Sequence, residues 1–317
     1  FTFNWTDGNG SKRTVFIKQD STGTASPVNN TTYNASTVFG SGSQIGTTGW
    51  YCVFNGTTHT SGITVTNLLP NKNYRVMVCE YNGNAGYEQY NTTTASNNPV
   101  TKKTCSENTS IPSEGLVAWY PFNGNANDEC GNGNNGIVNG AVLTSDRFEN
   151  ANKAFYFDGT NDYINIPFSF GNCPEFSISA WFNIDTLTGT HQAIVSSTTA
   201  CFEHLQCNSS GNIGFYTKSY GTILLPIISL YPQDSWRHVV FSIKSGVTKV
   251  YENGTLISYS NQIFDTITLA NLIRIGSGYL NGRFFHGKID DVRLYNRALT
   301  DCEISSLYQE VSFPANQ

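Results

Sequence analysis

Short alternating segments separated by turn-forming clusters run through almost the whole chain, and this pattern restricts it to an all-β fold. Phe1-Thr-Phe-Asn-Trp5 places apolar residues at every second position and then breaks at Asp7-Gly8-Asn9-Gly10. Arg13 to Lys18 follows, with Val15 and Ile17 on one face and Phe16 on the other. Phe176-Ser-Ile-Ser-Ala-Trp-Phe182 alternates in the same way. A period of two residues sends successive side chains to opposite faces of a sheet. Only residues 300–308 read as a helix. There Thr300 is an N-cap, Glu303 stands three residues later, and Ile304, Leu307 and Tyr308 share a face. Charged residues make up 13% of the chain and aromatics 13%, a balance that suits half-buried pleated surfaces and does not suit disorder.

Several function classes are poorly served by this sequence. The net charge is −5 and the Lys and Arg residues are scattered, so no basic stripe exists for phosphates and nucleic-acid partners are not expected. The longest apolar stretch, Ile223 to Tyr231, is short for a bilayer and contains Pro226, so no membrane-spanning segment is expected. Eight cysteines occur without a Cys-x-x-Cys pair or histidines at metal-site spacing. Four disulfides in an oxidising, extracellular compartment are the expectation, and free buried thiols the alternative. The chain begins at Phe1 without a signal peptide, which suggests a fragment of a longer protein.

Strand signals in the first hundred residues are Trp50 to Phe54, Ile63 to Val65 and Tyr74 to Tyr81, each bounded by Asn, Gly or Thr clusters. Leu68-x-Pro70-x-x-x-Tyr74 is a tyrosine-corner pattern, in which the hydroxyl returns to the backbone. With Trp5 on an early strand, residues 1–104 resemble a fibronectin type III domain whose first strand is missing. Cys52 and Cys79 lie on strands expected to be near neighbours and are paired on that basis. Residues 105–113 are polar, contain Pro112 and lack periodicity, which marks a linker.

Residues 114–317 carry the ordered motifs GLVAWYPFNGNANDECGNGNNG, FDGTNDYI, SISAWF, WRHVVFS, YENG and FHGKIDDVRLYNRALTDCEI. Together they resemble the laminin-G-like, concanavalin-A-type jelly roll. That resemblance implies two packed antiparallel sheets burying Trp119, Trp181, Phe182 and Phe241, with Ala154–Gly159 and Asp162–Ile166 as a hairpin. It also implies one structural Ca2+ on the rim. Asp290 would be its side-chain ligand, carbonyls near Asn123 and Gly159 would complete the shell, and Asp158 would stand close by. Asp128 is a weaker candidate. The alternative is that Asp158, Asp162, Asp290 and Asp291 are hairpin and capping residues. The fold places the first and last strands side by side, so Cys105 is paired with Cys302. Cys201 and Cys207 pair as a local staple, which leaves Cys130 with Cys173.

Glycoside hydrolases share this jelly roll and need two carboxyl groups on one face. No alternating acidic run exists, and the neighbours Asp290 and Asp291 would face opposite ways on a strand. The five histidines are scattered, no Gly-x-Ser-x-Gly elbow is present, and no catalytic residue is assigned. Tyr216, Tyr220, Tyr279 and Arg283 lie in aromatic-rich segments suited to holding a saccharide. Asn-x-Ser/Thr sequons include Asn4, Asn30, Asn91 and Asn253. Ser21, Thr186 and Thr266 follow aspartates in patterns that resemble the O-glycosylation motif of secreted proteins in gliding, polysaccharide-degrading bacteria. The expectation is a non-enzymatic adhesion or carbohydrate-binding part of a larger secreted or cell-surface bacterial protein. Its partners would be a glycan, another surface protein, or neighbouring domains of its own chain. The alternative is a structural stalk or a non-catalytic appendage of a polysaccharide-degrading enzyme.

Overall fold

The computed structural model describes all residues except 1, 4, 58–62, 94, 107–110, 169–170, 173–174, 187–190, 198–201, 209–212, 218–220, 226–234, 261–267, 270–272, 279–282 and 311–317. The side chains of β13, β16–β18 and β22, defined below, and of Thr2, His191 and Ser260 are likewise outside the description. The chain divides into two compact units, Phe1–Asn108 and Thr109–Gln317. Both are built from antiparallel sheets, and one short helix lies near the C-terminus.

The first unit contains β1 (Thr2–Phe3), β2 (Lys12–Lys18), β3 (Tyr51–Gly56), β4 (Ile63–Thr64), β5 (Asn73–Asn82), β6 (Gln89–Tyr90) and β7 (Val100–Lys103). Five of these form one sheet in the order β3-β2-β5-β6, with β7 also on β5, while β1 pairs with β4. Both faces of the sheet are covered. Val15, Ile17, Tyr74 and Val76 pack on one side, and Phe16, Cys52, Met77, Cys79 and Tyr81 on the other. The tyrosine corner forms as expected: Leu69 N–H donates to the buried Tyr74 hydroxyl at 2.8 Å, and that hydroxyl donates to Gln19 Oε1 at 3.0 Å.

The expected Cys52–Cys79 disulfide does not form, and both residues are free buried thiols. Strand order explains the correction. Cys52 sits opposite Phe16 on one edge of β2, and Cys79 sits opposite Thr14 on its other edge. Two strand spacings, roughly 9–10 Å, separate them, beyond the ~7 Å Cα limit of a disulfide. Cys130 is also free, against the expected pairing with Cys173. Cys173 and Cys201 lie outside the described residues, as does the Cys207 side chain. Cys105 and Cys302 are each disulfide-bonded.

The second unit is a jelly roll. Its strands are β8 (Leu116–Tyr120), β9 (Ile137–Asn139), β10 (Val142–Thr144), β11 (Ala154–Asp158), β12 (Tyr163–Ile166), β13 (Gly171–Asn172), β14 (Glu175–Ile184), β15 (His191–Ser197), β16 (Phe202–Asn208), β17 (Ile213–Thr217) and β18 (Gly221–Leu225). They continue as β19 (Arg237–Lys244), β20 (Val247–Glu252), β21 (Thr255–Ser260), β22 (Thr268–Leu269), β23 (Ile273–Ile275) and β24 (His286–Tyr295), followed by α1 (Asp301–Tyr308). An eight-stranded sheet runs β10-β11-β24-β14-β19-β20-β21, with β8 beside β24. A seven-stranded sheet runs β18-β17-β16-β15-β23-β12-β9, and β13 pairs with β22. The core between the two large sheets includes Phe157, Ile164, Ile178, Phe182, Phe241, Ile275, Ile289 and Leu294.

Two expectations need revision here. Residues 154–158 and 163–166 are not a hairpin, because β11 belongs to the eight-stranded sheet and β12 to the seven-stranded one. The chain crosses between sheets through Gly159, whose φ of 75° favours glycine. Trp119 and Trp181 do not join Phe182 and Phe241 between the sheets. They lie on the opposite side of their strands from the core residues Ala118, Tyr120, Ala180 and Phe182. The helix forms as its sequence requires, with a complete capping box between Thr300 and Glu303.

Burial raises both thiols of the first unit, Cys52 and Cys79, to about 12, which leaves almost no thiolate at neutral pH. Under native conditions neither is expected to react with iodoacetamide, and both should be alkylated in guanidinium without prior reduction. Peptide mapping checks this; a disulfide-linked Cys52–Cys79 peptide would contradict it.

Candidate functional site

Strand β24 is the hub of the eight-stranded sheet. Along one edge it pairs with β14 over nearly its whole length. Along the other it pairs with β11 through residues 286–289 and with β8 through residues 292–295. At the changeover Asp291 adopts φ 52°, and the β14 register shifts by one residue. This bulge turns Asp290 and Asp291 to the same side, whereas simple alternation would separate them.

The two carboxylates converge on Arg147. Nη1 lies 2.7 Å from Asp290 Oδ2 and Nη2 lies 3.1 Å from Asp291 Oδ2. The guanidinium sits between the Phe148 ring at 4.6 Å and the Trp181 ring at 4.7 Å. Asp291 also accepts from Trp119 Nε1 at 2.7 Å and from Arg293 Nη1 at 3.0 Å. Arg293 in turn pairs with Glu310 just beyond α1, at 2.8 Å. Helix α1 covers the neighbouring surface: Leu299, Ile304 and Leu307 pack on Val240, Tyr251 and Tyr295, and Tyr308 stacks on Trp181 at 5.7 Å. The outward side of the eight-stranded sheet is therefore sealed around β24 and β14.

Three carboxylates share two guanidiniums in this cluster. Burial, reinforced by Asp291, raises Asp290 well above the usual carboxylate range. Burial opposes ionisation of Asp291 too, but Arg293 and Arg147 outweigh it and hold that carboxyl low. Glu310 is pushed up to about 7, by burial first and then by Asp291. Burial also keeps His238 neutral, at about 3, beside Trp181.

The residues implied for a structural calcium do not form a fitting set. Asp290 is engaged by Arg147. Asp158 sits opposite His286, four residues before Asp290 on β24, so it and Gly159 lie roughly 13 Å from Asp290 along the strand pair. Asn123 lies toward the Asp290 end, since Gly124 N–H donates to the Asn152 carbonyl just before β11. Asp162 instead organises its loop, accepting from Asp158 N–H at 3.0 Å and lying against Gly140, where any Cβ would collide with it. Asp128 likewise gathers the backbone N–H groups of Trp119, Cys130 and Asn134. Among the described residues, no group of three or more His, Cys, Asp or Glu is placed to hold a metal ion.

The seven-stranded sheet presents a different outward surface. Ile164, Ile166, Ile273 and Ile275 face the core, so Tyr163, Asn165 and Arg274 face away from it, and all three are half-buried. Arg274 Nε donates to Asn165 Oδ1 at 3.1 Å, and its guanidinium carbon lies 4.5 Å from the Tyr163 ring centre. The backbone registers align Ile137, Asn165, Arg274, Ser196, Glu203, Tyr216 and Thr222 across the sheet. Seven strands at ~4.8 Å spacing make it about 29 Å across. Ser196 is buried, and its hydroxyl donates to the Ser277 carbonyl at 2.6 Å, which ties the loop after β23 to the row.

Of the expected ligand contacts, Arg283 lies on the loop that begins at Ser277, its carbonyl accepting from Gly278 N–H at 3.0 Å, while the Tyr216 side chain lies outside the description. Tyr220 and Tyr279 lie outside the described residues. Tyr163, Asn165 and Arg274 were not singled out from the sequence, because their alignment depends on a register between strands far apart in the chain. Ser21 and Thr186 are exposed, while Thr266 falls outside the described residues. Among the sequons, Asn253 is held in its hairpin, where its Oδ1 accepts from His238 N–H at 3.0 Å.

A family model described as the concanavalin A-like lectin/glucanases superfamily matches residues 158–305. No curated protein matches the sequence. Among solved structures, the chain is similar to domain 4 of AbnA, an extracellular GH43 arabinanase from Geobacillus stearothermophilus, in complex with arabinotriose. That match has 24% identity, covers 61% of this chain and 98% of that one, and has a TM-score of 0.48. The botulinum neurotoxin serotype D binding domain matches at 19% identity over 62% of this chain and 52% of that one, with a TM-score of 0.51. The binding domain of Paraclostridial Mosquitocidal Protein 1 matches at 17% identity over 62% and 52%, with a TM-score of 0.52. The chain thus spans about half the length of the two toxin binding domains, and these likenesses concern the fold. The family match supports a concanavalin A-like jelly-roll domain over residues 158–305.

Removing one partner from a buried ion network strands the others, so Arg147→Met is expected to cost about 3–5 kcal/mol in denaturant unfolding. Arg147→Lys should recover only part, since it lacks the two-pronged geometry. Glu310 titrates higher in the folded protein than its ordinary value of 4.5. Folding therefore takes up a proton, and the associated stability is complete below that value and lost as pH rises through about 7. Urea unfolding at pH 5 and pH 8 should show a larger loss of stability in the wild type than in Glu310→Gln. Equal losses would contradict the assignment.

Proposed function

We propose that this chain is a non-catalytic carbohydrate-binding or adhesion part of a larger secreted or cell-surface protein, with its ligand on the outward face of the seven-stranded sheet. The supporting observation is the contrast between the two outward faces. Around β24 and β14 the eight-stranded sheet is closed by α1 and the Arg147 loop, whereas Tyr163, Asn165 and Arg274 form a half-exposed row on the other sheet. An aromatic ring beside amide and guanidinium groups supplies what a sugar needs, an apolar face to stack on and directional hydrogen bonds at its rim.

The adjacent acids Asp290 and Asp291 are committed to Arg147, Arg293 and Trp119, which supports a binding rather than a hydrolytic role. The first unit we read as a fibronectin type III-like spacer; the tyrosine corner at Tyr74 supports this. The disulfide-bonded Cys105 and Cys302 favour an oxidising extracellular setting. No helix among the described residues is long and apolar enough to cross a membrane.

The test is a glycan-array screen of the whole chain, followed by titration of any hit against wild type and Tyr163→Ala. Saturable binding that weakens about tenfold in the variant, with an unchanged melting temperature, is the expected result; tenfold corresponds to ~1.4 kcal/mol. Binding that is indifferent to Tyr163 would move the site off this face, and an array with no hits would remove the carbohydrate reading.

A further inference from the structure

Arginines in the second unit differ in what balances their charge. Arg147 pairs with Asp290 and Asp291, Arg237 with Glu252, Arg293 with Asp291 and Glu310, and Arg297 with Glu303. Among the described residues Arg274 pairs with none, its partners being the Asn165 side-chain oxygen and the Tyr163 ring. On a chain of net charge −5, a half-buried guanidinium with no carboxylate partner among the described residues stands apart from the pattern.

The geometry around it is that of a held donor. Asn165 occupies Nε, and the Tyr163 ring lies against the guanidinium at 4.5 Å. The two terminal nitrogens carry no partner among the described residues, and they are the pair that grips a carboxylate or sulfate with two parallel bonds. Holding the guanidinium in place beforehand reduces the ordering cost of binding. Competition within the row is limited. Ser196, next to Arg274, is committed to the Ser277 carbonyl.

We infer that Arg274 anchors an acidic saccharide, one bearing a carboxylate or sulfate, with Tyr163 and Asn165 as positioning residues that fix the guanidinium. This inference rests on the carbohydrate-binding reading of the same face. It narrows the ligand class from glycans in general to anionic ones and makes recognition salt-sensitive, because charge-assisted contacts near the surface are screened.

The test is calorimetric titration of the whole chain with three oligosaccharide series of matched length: galacturonic acid oligomers, sulfated galactan oligomers and uncharged galactan oligomers. Arg274→Gln, Arg274→Lys and wild type are compared, with melting temperatures as a control for folding. A charged series should bind in preference to the uncharged one and weaken with added salt. Arg274→Gln should reduce its affinity about tenfold or more, with partial recovery in Arg274→Lys, as expected for a charge-assisted two-pronged contact. Which charged series binds distinguishes carboxylate from sulfate. Equal binding of charged and uncharged oligomers, or an Arg274→Gln variant that binds as wild type does, would overturn the inference while leaving carbohydrate binding intact. Absence of binding to all three series would overturn the inference and count against the carbohydrate reading.

Discussion

A single left-handed residue in the last strand sets the organisation of the jelly roll. Asp291, at φ 52°, inserts one extra residue into β24 where its neighbour changes from β11 to β8. Without that insertion Asp290 and Asp291 would point to opposite sides, and one of them would face the core among Ile289, Val292 and Leu294. With it, both meet Arg147 outside the core. The arginine pins its loop to the sheet, and Arg293 carries the same network to Glu310 behind α1. Buried ion pairs are poor sources of net stability, because desolvation offsets most of their attraction. What this network supplies is placement: it commits the helix and the loop to one side of the domain.

That commitment closes the outward face of the eight-stranded sheet around β24 and β14. The closed face holds Trp181 between Tyr308 and Arg147, and keeps His238 neutral and buried beside it. The outward face of the seven-stranded sheet carries Tyr163, Asn165 and Arg274, the first two held against Arg274 and all three only half-buried. A concanavalin A-like fold by itself is compatible with catalysis, binding or simple spacing. The contrast between its two sheets is what supports the recognition role we propose.

Much of this was legible in the sequence wherever local rules decide the outcome. Alternation marked β2 and β14, Thr300 and Glu303 set the start of α1, and the Leu68–Tyr74 spacing anticipated the tyrosine corner. Three features were not legible, each for a physical reason. The KIDDVRLY segment reads as plain alternation, and only strand pairing exposes the bulge at Asp291. Cys52 and Cys79 are close in strand order but lie on opposite edges of β2, a fact of topology that spacing does not encode. Arg274 and Tyr163 meet because β12 and β23 pair across a long stretch of chain, and no local pattern fixes that register.

The location of the binding face is the central claim, and hydrogen exchange of the whole chain tests it most directly. Backbone amide exchange would be compared with and without a saturating oligosaccharide identified by titration. Added protection should concentrate in β12, β23 and β15, with α1 and the residue 145–150 loop unchanged. Protection confined to α1 and that loop, with β12 and β23 unaffected, would contradict the assignment of the seven-stranded sheet as the recognition surface.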